Sequence, residues 1–210
     1  MSTVILVRPG CTDFDDQKRL QGSLDIPLNE RGENQLARVV EAIRELPIKA
    51  VLTSSCEPCY STAEALAKSL DVPLKEKSKL ENLDQGLWQG LSIGEIRHKF
   101  PRVFKQWEDA PETVCPPDGE TVSEGVIRIE SVLKKPLKKY GTFVVVASEP
   151  FASLISASLR GVDVDGLCAS LFGCCDDHLV EVIQTEQNGS EHSRNGHSSE
   201  IPIAVASATK

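Results

Sequence analysis

Residues 4–12 read V-I-L-V-R-P-G-C-T, an apolar run that stops on arginine, proline and glycine. A run this short, β-branched and closed by turn formers reads as a strand buried on both faces, because a helix needs a longer stretch. The expected strand covers Thr3 to Val7, and its tip carries Arg8, Pro9 and Gly10. Working outward, Leu28-Asn29-Glu30-Arg31-Gly32 leads into an amphipathic helix from Glu33 to Leu46, where Leu36, Val39, Val40 and Ile43 recur at helical spacing. A second strand is expected from Lys49 to Thr53 and a second helix from Ser61 to Leu70, beginning near a Ser/Thr cap. Further along come a helix from Glu120 to Tyr140, a fully buried strand from Thr142 to Ala147 and a helix from Phe151 to Leu159. Such alternation predicts an α/β protein, a three-layer α/β/α sandwich with a mostly parallel sheet.

Between Leu83 and Pro117 the pattern turns irregular, with Trp88, Trp107, Gly86, Gly90, Gly94 and prolines at 111, 116 and 117, which predicts an elaborated loop with one or two helices. His178 to Thr185 is expected to be a strand. Residues 186–200 include Q-N-G-S-E-H-S-R-N-G-H-S-S-E, a polar stretch too poor in apolar residues to order itself, and are expected to be a disordered loop. Residues 201–210 are expected to return as a final strand, with Ile201 to Ala206 pairing as a hairpin. The main domain is then residues 1–185.

At 210 residues the chain suits one well-buried domain. Its 40% hydrophobic and 26% charged content is that of a globular protein. A net charge of -8 argues against nucleic acid as a partner. The lysines at 134, 135, 138 and 139 are read as a solvated helix face. No apolar run approaches the roughly 20 residues of a membrane span, and no signal peptide precedes the first strand, so the expectation is a cytoplasmic protein without a membrane partner. The 7 cysteines are odd in number, and without a secretory signal free thiols are the default.

Strand tips at the carboxyl edge of a parallel sheet are where ligands bind in α/β folds. Here those tips are Arg8-Pro9-Gly10, the segment from Thr53 to Cys59, and Ser148-Glu149-Pro150. In this order, with Gln21-Gly22-Ser23-Leu24-Asp25-Ile26-Pro27-Leu28, Gln85-Gly86-Leu87-Trp88-Gln89-Gly90-Leu91 and Pro117-Asp118-Gly119-Glu120, they resemble the phosphoglycerate mutase-like branch of the histidine phosphatase superfamily. The resemblance covers about residues 3 to 165 and implies that family's fold. It also implies a covalent mechanism: a histidine at the first strand tip attacks phosphorus, two arginines clamp the phosphoryl oxygens, a second histidine donates to them, and an acid protonates the leaving group.

Four of those five positions differ here. Pro9 holds the nucleophile's place and has no nitrogen able to take a phosphoryl group. Arg8 keeps the first clamp, whereas the second falls on Pro58. The acid aligns with Asn82, with Glu81 and Asp84 nearby, and the second histidine aligns with Glu149. Of the 4 histidines, none precedes His98, so no shift of alignment restores a nucleophile. His98, His178, His192 and His197 are read as surface or strand-end residues.

The resemblance therefore implies a catalytically degenerate member with no catalytic residue, metal or cofactor. Its expected activity is binding a small anionic, phosphorylated ligand or a protein partner through a remnant pocket of Arg8, Thr12, Gln21, Asn82 and Glu149. Arg8 and Glu149 are expected to pair. One alternative is a residual phosphohydrolase in which Glu149 or Asp84 activates water. The other is a thiol redox or metal site at Cys56 and Cys59, although a zinc ion wants four ligands and no second C-x-x-C supplies them. Trp88, Trp107 and Phe104 are expected to anchor helices to the core, with a pocket or interface lining as the rival reading.

Overall fold

The computed structural model describes residues 2–110, 114–162, 179–185 and 198–200. In chain order the elements are β1 (Ser2–Val7), α1 (Asp13–Asp16), α2 (Glu30–Ile43), β2 (Val51–Thr53), α3 (Cys59–Leu70), β3 (Leu74–Glu76), α4 (Ile93–Lys99), α5 (Pro101–Asp109), α6 (Val122–Lys139), β4 (Thr142–Val146), α7 (Phe151–Arg160), β5 (Val180–Thr185) and β6 (Ser198–Glu200). The strands form one sheet in the order β3-β2-β4-β1-β5-β6. The pairings β3–β2, β2–β4 and β4–β1 are parallel, whereas β5 runs antiparallel to β1 and β6 antiparallel to β5.

Period-2 alternation in the central strands builds two cores. Val4 and Leu6 of β1 join Phe143 and Val145 of β4 under α6 and α7, while Ile5 and Val7 join Val144 and Val146 under α2 and α3. These strands read as unbroken apolar runs because both faces are covered. Neighbouring strands β1 and β4 thus send their following helices, α2 and α7, to opposite faces. That reversal opens a crevice at the carboxyl ends of β1 and β4, where Arg8 and Glu149 stand.

Local signals set the helix boundaries. The side chain of Asn29 accepts from the Gly32 amide at 2.9 Å and starts α2, whose buried stripe is Gln35, Val39 and Ile43. Thr121 with Glu124 and Ser92 with Glu95 form reciprocal capping boxes at α6 and α4. Gly161, at φ 67°, ends α7. The irregular segment holds α4 and α5 around a separate core of Leu20, Trp88, Ile96, Phe104 and Trp107. Trp88 and Trp107 meet edge to face at 5.9 Å, so both tryptophans and Phe104 anchor helices.

Two features depart from the sequence-based expectation. Leu74–Glu76 adds an edge strand that three residues of mixed polarity do not announce. The hairpin with β5 begins earlier than expected: Ser198–Glu200, inside the stretch expected to be a loop, pairs with Glu181 to Ile183. Residues 186–197 and 201–210, His178, His192 and His197 lie outside the described residues. Lys134, Lys135, Lys138 and Lys139 are exposed, as is His98 on α4.

The loop after β1 rests directly on α2. A Cβ on Gly32 would stand 2.2 Å from the Cys11 carbonyl oxygen, and one on Gly10 would stand 2.3 Å from the Gly32 carbonyl oxygen. Gly32→Ala is expected to cost about 2–4 kcal/mol, measured as a lower denaturant midpoint. Gly94→Ala in α4 is the control: nothing lies within 4 Å of its new methyl, and gains in helix propensity make it neutral or stabilising by about 1 kcal/mol.

Candidate functional site

Three chain segments converge at the crevice: Arg8 to Thr12 after β1, Cys56 to Cys59 leading into α3, and Ser148 to Pro150 before α7. The backbone of the first is fixed from α2. The Cys11 amide donates to the Gln35 side chain at 2.8 Å, and the Asn29 amide donates to the Cys11 carbonyl at 3.0 Å. Pro9 is buried in this loop. Pro58 and Pro150 follow cis peptide bonds and cap α3 and α7.

Arg8 leaves β1 into the crevice with its side chain only 15% exposed, and there it meets two carboxylates. Its Nε donates to Glu149 Oε1, and its Nη1 lies 3.5 Å from Glu181 Oε2. Glu149 Oε2 also accepts from the Ser153 amide in the first turn of α7 at 3.1 Å. Glu181 accepts from Ser156 Oγ at 2.6 Å and from Arg160 Nη2. Two guanidinium groups and two carboxylates thus form one network with no net charge. Burial works against the charge on Arg8, and the attraction and hydrogen bonds of Glu149 and then Glu181 overcome it, so its pKa is raised. Glu181, Arg160 and Ser156 went unnoticed in the sequence; the available signal was a carboxylate set in the apolar run L-V-E-V-I of a strand expected to be buried.

The five residues expected to form a remnant pocket are brought together, and each is engaged within the chain. Asn82 Nδ2 donates to the carbonyls of Gly22 (3.0 Å) and Glu149 (2.8 Å). Its Oδ1 accepts from the amides of Leu83 (2.9 Å) and Phe151 (3.3 Å). Its hydrogen-bonding capacity is filled, and it joins three loops instead of facing a ligand. Gln21 Nε2 donates to the carbonyls of Leu24 and Glu57, at 3.2 Å and 3.0 Å. Thr12 is fully buried and closes a capping box with Asp15 at the start of α1.

Arg128 on α6 braces this arrangement from behind. It holds Glu120 in two bonds of 2.6 Å and 2.7 Å, donates to the carbonyls of Lys79, Glu81 and Asn82, and covers the Phe151 ring at 4.3 Å.

Cys56 and Cys59 are free thiols, not bonded to each other. Burial pushes the Cys59 thiol up to about 12, only partly relieved by Ser148 Oγ at 3.2 Å. Cys56 is raised by burial and then by Glu81 and Asp25. A redox pair needs a stabilised thiolate, and this environment opposes one. Among the described residues no group of three or more His, Cys, Asp or Glu side chains could hold a metal ion. Cys11 corrects the expectation of free thiols, because it is disulfide-bonded; Cys168, Cys174 and Cys175 lie outside the described residues. Arg31 Nη2 lies 3.0 Å from the Cys11 sulfur. Cys115 is free and exposed.

The sheet order, with Arg8 and the start of α7 beside its first and fourth strands, places the chain in a family of known architecture. The chain belongs to the histidine phosphatase superfamily (branch 1), whose family profile matches residues 4–192. It is 27% identical over 189 residues to phosphoserine phosphatase 1 of Hydrogenobacter thermophilus, covering 89% of this chain and 88% of the relative. It is 25% identical over 199 residues to the uncharacterized phosphatase PhoE of Bacillus subtilis, covering 94% and 97%. The solved structure of Bacillus stearothermophilus YhfR superposes with a TM-score of 0.81 over 95% of this chain and 96% of its own, at 22% identity. Among the described residues no helix is long and apolar enough to cross a membrane.

Two outcomes follow from this geometry. Asn82→Asp puts a carboxylate against two carbonyl oxygens and removes both donors, so it should lower stability by about 2–3 kcal/mol in denaturant titrations. For Cys59, the unfolded chain releases its proton near the ordinary value of 9.0 while the folded chain keeps it to about 12. The associated stability is intact below pH 9.0 and declines as pH rises from there. Stability measured across that alkaline range should fall more steeply for wild type than for Cys59→Ala.

Proposed function

We propose that this protein is a non-catalytic member of the histidine phosphatase superfamily that works by binding a protein partner over the crevice. Arg8, the surviving clamp, has its charge matched by Glu149 and Glu181, and this single observation carries the proposal. Like charges about 4 Å apart at an effective dielectric near 20 repel by roughly 4 kcal/mol per unit pair, so Glu149 cancels the attraction Arg8 would offer a phosphate. A proline at position 9 supplies no nucleophile. The other polar residues of the crevice, Thr12, Gln21 and Asn82, spend their hydrogen bonds inside the chain, which supports a partner that reads surface shape over a small anion held by these groups.

The relatives named as phosphatases keep a residual phosphohydrolase as the competing reading, with water activated by Glu149 or Asp84. A panel of phosphate monoesters, including phosphoserine, assayed from acidic to alkaline pH separates the two. The expected result is no turnover above background and no difference between wild type and Arg8→Ala. Turnover that disappears in Arg8→Ala overturns the non-catalytic assignment.

A further inference from the structure

We infer that Glu149 is a built-in ligand: its carboxylate fills an oxyanion cradle made by the Arg8 guanidinium and the first turn of α7, and so excludes free oxyanions such as inorganic phosphate. The inference deepens the non-catalytic reading and rests on its placement of Arg8.

The two oxygens of Glu149 take the contacts that an incoming anion would need. Oε1 accepts from Arg8 Nε, and Oε2 accepts from the Ser153 amide at 3.1 Å. A charged donor and an amide at the positive end of a 10-residue helix are both groups that select oxyanions. Glu149 directly precedes the cap residue Pro150, so its carboxylate is tethered at the cradle and competes at an effective concentration that a free ion does not reach.

The cradle does not depend on Glu149 for its shape. Glu181 holds the far side of Arg8 at 3.5 Å and is itself fixed by Ser156 at 2.6 Å and by Arg160. Asn82 pins the Glu149 carbonyl at 2.8 Å and the Phe151 amide at 3.3 Å, so the backbone at the start of α7 is held independently of the Glu149 side chain. Neutralising Glu149 therefore leaves Arg8 aimed at the vacated position. The charge of the four-residue network rises from zero to one positive unit.

The test is titration of the full chain with inorganic phosphate, followed by calorimetry and by phosphorus NMR, with circular dichroism reporting the fold. Glu149→Gln, nearly equal in size, and Glu149→Ala should both bind phosphate at least about tenfold more tightly than wild type. Adding Arg8→Ala to Glu149→Gln should abolish the gain. Wild type should show no rise in Tm with phosphate over chloride of equal ionic strength. Phosphate-specific stabilisation of wild type overturns the inference, even where a variant fails to fold. Equal affinity in wild type and folded variants overturns it, as does a gain that survives loss of Arg8. Because hydrolysis is not the readout, Arg8-dependent turnover by wild type would refute the non-catalytic assignment while leaving this comparison of affinities to stand or fall by itself.

Discussion

A guanidinium withdrawn from water at the end of a central strand has to find carboxylates, and much of this site is arranged around how Arg8 finds them. Glu149 arrives from the end of β4 and Glu181 from β5, on the two strands that flank β1. Neither pairing is a reliable source of stability by itself, since desolvating such groups costs about as much as their attraction returns. Losing one partner is a different matter, because a buried charge left alone typically destabilises by about 3–5 kcal/mol. The network therefore acts as a constraint. Arg160 and Ser156 are present because Glu181, once buried, needs partners of its own.

The same logic accounts for the neutrality of the Arg8 network. A phosphate-transferring pocket must keep polar groups unsatisfied by the protein so that substrate and transition state can use them. Here Asn82 spends both amide hydrogens and both oxygen lone pairs on three loops, Gln21 clasps the turn before α3, and Thr12 closes a helix cap. Hydrogen-bonding groups turned inward in this way rigidify the loops and leave little polar capacity facing outward.

The layered fold was legible because it is written in local periodicity. The apolar runs at Val4 to Val7 and Phe143 to Val146 could not be helices, and the stripes on α2 and α6 could not be strands, so helix and strand boundaries matched within a few residues. The pairing of Arg8 with Glu149 was also readable, since both sit at tips of expected strands. β3 escaped because three residues carry too little pattern, and Glu181 because a strand's sequence does not say which side chains meet a charge across the sheet edge. The engagement of Asn82 was hidden for a related reason: its position was readable, but three of its four bonds run to segments distant in the chain. The bonded state of Cys11 lay beyond spacing arguments, which constrain which cysteines are numerous or clustered and not which ones meet.

The placement of the charge network also has a consequence for the order of assembly. Arg8 is synthesised well before its partners, since Glu149 lies 141 residues further along and Glu181 later still. Contacts of such separation form after the chain has already given up most of its freedom. While the nascent chain lacks β4 and β5, the first strand ends in an uncompensated cation and an unpaired edge. Completion of the crevice therefore waits on these distant contacts, and a neutral Arg8 network is a mark of a chain whose far-separated segments have met.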